Sequence, residues 1–96
     1  MASVVVTLKI MPKSPDVNLD KVYESVQRSV NGFIDERHRN GEVRKIIEPI
    51  GFGLKALKVI FVMDEAIGST DGLEESIRNN ADVESVETID VRRAIG

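Results

Sequence analysis

The chain has 96 residues, 42% of them apolar, and a net charge of −3, which suits a single domain over residues 1–96 with one modest hydrophobic core. It contains no Cys and one His, so disulfides, thiolate catalysis and Cys-based zinc or iron–sulfur sites are excluded. No apolar run approaches the roughly 20 residues that span a bilayer, and the opening Val4 to Met11 is interrupted by Thr7 and Lys9 rather than forming a signal-peptide core. A cytoplasmic chain with no membrane contact is expected.

Val4, Val6, Leu8 and Ile10 recur at period two and predict a first strand. Pro12 and Pro15 mark a loop, and Asn18 is a suitable N-cap for a helix that carries Asp20 in its first turn. Leu19, Val22, Val26, Val30 and Phe33 follow at spacings of three and four, which puts them on one helical face. Asn31-Gly32 offers a stop, with Phe33 and Ile34 able to extend the helix by a turn. Residues 35–42 have no apolar side chain and end in the turn pair Asn40-Gly41, so they predict a loop in which His38 is a solvated surface residue.

Val43 to Ile50 predicts a strand, and Pro49, which has no N–H for a ladder, places it at an edge. Gly51-Phe52-Gly53 makes the turn. In the next strand, Leu54 to Met63, one face carries Leu57, Val59, Phe61 and Met63, while Ile60 and Val62 make the other apolar too, as in a central strand. Gly68-Ser69-Thr70 breaks the chain and supplies caps for a short helix anchored by Leu73 and Ile77, which stops near Asn79-Asn80. In the last strand, Val83 to Val91, the alternation slips between Val86/Thr88 and Ile89/Val91, which predicts a bulge or an edge position.

The order β-α-β-β-α-β, with one hairpin between two helical crossovers, is the split βαβ pattern of an α+β ferredoxin-like sandwich. Right-handed crossovers place both helices on one face of a four-stranded antiparallel sheet in the order 4-1-3-2. With the first strand pointing up, the hairpin tip lies at the top and the C-terminus at the bottom, and a strand of about seven residues separates them by on the order of 20 Å.

Charge is unevenly spread. Residues 1–63 carry ten Lys/Arg against seven Asp/Glu, residues 64–90 nine acids against Arg78, and Arg92-Arg93 then place a basic pair beside an acidic stretch. Residues suited to covalent chemistry are sparse. Asp64-Glu65 and Asp71 offer oxygen ligands, but their spacing matches no calcium loop. Gly51-Phe52-Gly53 lacks the third glycine and following helix of a phosphate loop. RNA-binding sheets of this topology stack bases on aromatics of the two central strands. Here the first strand has none, and Phe61 falls on the core face, so no direct nucleic-acid contact is expected.

The stretch Glu48-Pro49-Ile50-Gly51-Phe52-Gly53-Leu54-Lys55-Ala56-Leu57-Lys58 resembles the signature hairpin of the elongation factor 1-beta exchange-domain family. The opening Val5 to Pro12, the helix Leu73 to Ile77 and the closing Thr88 to Arg93 resemble its archaeal form in the same order, so the likeness covers nearly the whole chain. The resemblance implies a ferredoxin-like module without enzymatic chemistry or cofactor that promotes GDP release from the GTPase elongation factor 1-alpha during translation. It implies a partner-binding set of Pro49, Gly51, Phe52, Gly53 and Lys55 at the hairpin and Asp90, Arg92 and Arg93 at the tail, in a chain that is monomeric when free. Phe52 matches the aromatic that, in eukaryotic relatives, meets the second domain of the GTPase. The lysine that those relatives send toward the magnesium site falls at or near Gly96, leaving Arg92 and Arg93 as the nearest cations.

The residues alone leave plainer readings beside these. Phe52 can fold back on its sheet, though glycine on both sides offers nothing to cover it. Lys55 and Lys58 can be solubilising strand residues, and Arg92-Arg93 a solvated strand end. A small-molecule-sensing or oligomerising ferredoxin-like module is the competing function. An acylphosphatase-type enzyme would need an arginine in the loop after the first strand and an asparagine on a neighbouring strand, and neither is visible.

Overall fold

The structure is a computed structural model that describes residues 2–39 and 41–94. Its strands are β1 (Ser3–Pro12), β2 (Arg44–Gly51), β3 (Leu54–Asp64) and β4 (Val83–Arg93), with helices α1 (Leu19–Phe33) and α2 (Asp71–Arg78) in the two crossovers. The sheet runs β2-β3-β1-β4 and every neighbouring pair is antiparallel. This is the ferredoxin-like arrangement expected.

The period-two positions of β1 and β3 build the floor of the core. Val6, Leu8, Ile10, Leu57, Val59 and Phe61 are all essentially inaccessible to solvent. Val22, Val26 and Val30 of α1 and Leu73 and Ile77 of α2 pack onto them in one continuous cluster, so both helices cover the same face. Leu19 is only partly buried at the edge of that cluster. The other face of the sheet has no helix, and its residues, such as Thr7, Lys9, Ile46 and Asp90, are half-buried or exposed.

Local signals explain the ends of the elements. Asn18 caps α1, its Oδ1 accepting from the N–H groups of Asp20 at 3.0 Å and Lys21 at 3.3 Å. The helix runs through Asn31-Gly32 and ends only at Ile34, whose backbone turns extended while its N–H still reaches the Val30 carbonyl at 3.0 Å. Burial decides this: the extra turn carries Ile34 into the core. At the start of α2, Ser69 Oγ accepts from Asp71 N–H, whereas Thr70 turns inward to Thr88 Oγ1 at 2.9 Å.

The slip in the last strand is a pair of bulges. Against β1, register shifts fall between Thr7 and Leu8 and between Met11 and Pro12, leaving Ile89 and Glu84 without opposite partners.

The segment 35–42 departs from a plain loop. It holds a 3-10 turn, Glu36–His38, and His38 is not a solvated surface residue. Its Nδ1 lies 2.6 Å from Asp35 Oδ2 and its Nε2 3.0 Å from Ser3 Oγ, so the ring ties the crossover to the first residue of β1. Asn40 of the expected Asn40-Gly41 turn lies outside the described residues.

Candidate functional site

The partner-binding residues read from the sequence fall at the two ends of the sheet. At the upper end, Gly51 pairs with Leu54 across the two-residue loop Phe52-Gly53. Phe52 has φ 54° and Gly53 φ 77°, and two central residues at positive φ are what a type I′ hairpin turn requires. Glycine reaches this region freely, but for an L-residue with a Cβ it costs about 1–2 kcal/mol. Gly51, at φ 115°, sits where the β2–β3 register shifts, so it too occupies a backbone state that side chains resist.

The ring of Phe52 is fully exposed, at 103% of its reference accessibility. It does not fold back on the sheet. Ile47 and Ile50, on the strand that leads into the turn, are each more than two-fifths exposed, and Pro15 lies 3.7 Å from where a Cβ on Gly53 would be. Pro49 pairs with Lys55 on the edge, both exposed, and Lys55 borders a shallow recess with Pro12, Asn18 and Ile47. Glu48, one residue before Pro49, is held below the ordinary carboxylate range by its hydrogen bond with Lys58 and by the charge of that lysine.

At the lower end, Asp90, Arg92 and Arg93 come at the close of β4. Adjacent strand residues point to opposite faces, so the arginines do not act as one patch. Arg92 pairs with Val5, beside Asp90 on the uncovered face, and its Nε lies 2.8 Å from Asp90 Oδ2. Arg93 pairs with Val4 on the helix face and donates through Nε and Nη2 to both oxygens of Glu65, each at 3.1 Å. These pairs are solvated, and such contacts are worth about 0–1 kcal/mol.

Sequence reasoning missed the group that organises this end. Asp35 accepts from the Asp64 N–H at 2.7 Å and holds His38, and Arg37 donates to Ser3 Oγ at 3.2 Å and lies 3.7 Å from Asp64. Partial burial acts to raise the Asp35 carboxyl, but the Asp64 N–H and the His38 ring together hold it below its ordinary value. Asp64 itself accepts from Ala66 N–H and caps the short turn Glu65–Ile67. Among the described residues no group of three or more acidic or imidazole side chains could hold a metal ion, and no helix is long and apolar enough to cross a membrane.

The ends are farther apart than the sequence implied. β3 has eleven residues rather than about seven, because it continues past β2 to pair with the start of β1. From Leu54 to Met63, which lies level with Val4 and Arg93, the rise at ~3.3 Å per residue is about 30 Å. The molecule is correspondingly long, 43 × 23 × 20 Å. Gly96, at or near which the resemblance implies the eukaryotic lysine would fall, lies outside the described residues.

The sequence that folds this way matches a known family along nearly its whole length. The profile of the EF-1 guanine nucleotide exchange domain covers residues 5–94. The chain belongs to this family. It is 44% identical to elongation factor 1-beta of Methanobrevibacter smithii over 93 residues, spanning 97% of this chain and 98% of that protein. The elongation factor 1-beta of Methanothermobacter thermautotrophicus is 43% identical over the same shares. That of Methanocaldococcus jannaschii is 34% identical across 98% of this chain and 100% of its own length. Membership gives the chain a guanine nucleotide exchange role in translation elongation.

Proposed function

We propose that this chain accelerates GDP release from elongation factor 1-alpha, with the hairpin end supplying affinity from one domain of the GTPase and the lower end acting on the domain that holds the nucleotide. The observation that carries this reading is Phe52. A bulky apolar side chain in a left-handed conformation, wholly in water, stabilises nothing within the fold; strain of this kind is characteristic of functional sites. An exposed aromatic on a rigid turn is also the kind of residue that dominates protein interfaces.

The work is differential binding rather than covalent chemistry. A factor that binds the nucleotide-free GTPase more tightly than the GDP-bound form must, by linkage, weaken GDP by the same factor. Phosphates and magnesium carry the densest charge in a GTPase site. Arg92 and Arg93, about 30 Å from Phe52, reach a different part of the partner and disturb that charge by offering competing cations to its carboxylates. Pro49 and Lys55 frame the hairpin contact, Gly51 and Gly53 permit its backbone, and Asp90 holds Arg92 until the partner replaces it. The free chain acts as a monomer in the cytoplasm: Pro49 blunts the β2 edge, and the bulges and charges of β4 blunt the other. Release of a fluorescent GDP from elongation factor 1-alpha, followed with increasing amounts of this chain, tests the proposal.

A further inference from the structure

A cleft of about 520 Å³ opens at the lower end of β3. Val5, Ile60 and Val62 line it from the uncovered face of the sheet, and Ile34, Val43 and Phe61 from the helix face. Because side chains alternate along a strand, a space bordered by Ile60, Phe61 and Val62 together lies off the edge of β3. It is the slot that β2 would fill if it continued. The β2–β3 pairing instead stops at Arg44 and Ile60, and the chain bends away through Gly41, whose N–H donates to the His38 carbonyl at 3.0 Å.

Part of the backbone along this slot has no partner among the described residues. The Ser3 carbonyl accepts from Ala94 N–H at 2.8 Å, so Ser3 directs its polar groups toward β4 and its partner Asp64 directs its own away from β1. Asp64 satisfies that outward N–H with Asp35 Oδ1 at 2.7 Å. Two residues earlier, Val62 faces the same way, and neither its N–H nor its carbonyl has a partner among the described residues. An open donor and acceptor at the edge of a strand, within an apolar cleft, have the form of a strand-addition site. Arg37 and Arg44 stand at the rim, Arg37 3.7 Å from Asp64 and Arg44 donating to Glu42 at 2.9 Å; both arginines are more than half exposed, so carboxylates of an incoming segment can take over from these solvated partners.

We propose that this slot binds an extended protein segment, apolar at its centre and flanked by carboxylates, which pairs with Val62 as a short additional strand. It is a third contact region, on the side of the sheet away from β4 and about 30 Å below the hairpin tip. It does not depend on the identity of the GTPase. The Phe61–Met63 edge spans roughly 10 Å at ~3.3 Å per residue, so the segment engages about three residues. The apolar walls take its central side chains, and Arg37 and Arg44 meet its flanks.

Nuclear magnetic resonance on the isotope-labelled full chain tests this directly. In the free protein the Val62 amide should exchange with solvent faster than those of Phe61 and Met63, which face β1. The probe is a blocked seven-residue peptide of three central valines between paired glutamates. Saturating peptide should slow Val62 exchange by about tenfold or more, the effect of one added hydrogen bond. N-methylation of the central valine should weaken binding by about tenfold. Replacing the glutamates by lysines, or Arg44→Glu in the protein, should weaken it too. A Val62 amide already protected in the free chain, or unmoved by millimolar peptide, would overturn the proposal. Equal binding of the N-methylated peptide would do so as well, by showing an apolar pocket without strand pairing.

Discussion

Arg93 grips Glu65 through two parallel hydrogen bonds, Nε to one carboxylate oxygen and Nη2 to the other, each 3.1 Å long. The pair is solvent-exposed, so its contribution to stability is about 0–1 kcal/mol. On the proposed function, its larger effect is to give Arg93 an internal partner that a carboxylate on the GTPase must displace. Glu65→Ala should therefore shift unfolding by no more than about 1 kcal/mol while lowering the concentration of factor needed for half-maximal GDP release. Denaturant melts and a release titration measure the two effects. An unchanged half-maximal concentration would remove Glu65 from the exchange reaction.

Phe52 offers a separation of stability from function. With Gly53 it forms a turn for which Asn-Gly is the preferred pair, and asparagine tolerates the left-handed region better than phenylalanine does. Phe52→Asn should stabilise the fold by about 0.5–1 kcal/mol, part of the left-handed penalty. Phe52→Ala should leave stability within about 0.5 kcal/mol. Both should weaken partner binding by about 1–3 kcal/mol, as for an interface aromatic. A sharp fall in melting temperature for Phe52→Ala would place the ring against the fold instead.

Phe61 is the opposite case, an aromatic 1% exposed at the centre of the core. Phe61→Ala should cost about 3–5 kcal/mol through lost burial and the cavity left behind. A domain of this size has only about 5–15 kcal/mol in total, so the variant should be largely unfolded in mild denaturant. Circular dichroism against urea measures this.

Asp35 makes the lower end sensitive to acid. Its carboxyl ionises more readily in the folded chain than at the ordinary value of 3.8, so the folded state binds that proton more weakly than the unfolded state. The stabilisation is complete above about pH 4 and is lost as pH falls through the lowered folded value. Asp35→Ala should lower the melting temperature at neutral pH and reduce the steepness of the loss below pH 4. Thermal melts from pH 2 to pH 7 would show it. Identical pH profiles for the two proteins would mean that Asp35 contributes nothing to acid sensitivity.

Much of this architecture is legible in the residue pattern because each element has one buried face. Val4, Val6, Leu8 and Ile10 alternate because β1 has helices on one side only, and Val22, Val26 and Val30 repeat at helical spacing because α1 presents one stripe to them. The slip at Ile89 was visible for the same reason, as a bulge interrupts the alternation. The 35–42 segment was opaque. It buries no apolar stripe, and the contacts that organise it, such as His38 with Ser3, join residues 35 positions apart. The exposure of Phe52 was foreshadowed by its flanking glycines, but its left-handed backbone was not, since phenylalanine disfavours that region. Nor does an adjacent Arg-Arg pair disclose that its members face opposite sides until the strand is recognised as running to Arg93.

On the proposed function, one end of the sheet supplies affinity and the other drives exchange. Stopped-flow release of a fluorescent GDP from elongation factor 1-alpha, across a concentration series of the wild-type chain, Phe52→Ala and the double variant Arg92→Ala/Arg93→Ala, tests it most directly. The wild-type chain should raise the release rate to a saturating plateau. Phe52→Ala should approach the same plateau at a concentration about ten times higher or more, in line with an affinity loss above ~1.4 kcal/mol. The double arginine variant should saturate at a lower plateau. A wild-type chain that leaves the rate unchanged would contradict the exchange function, and a double variant that reaches the wild-type plateau would contradict the role of the lower end.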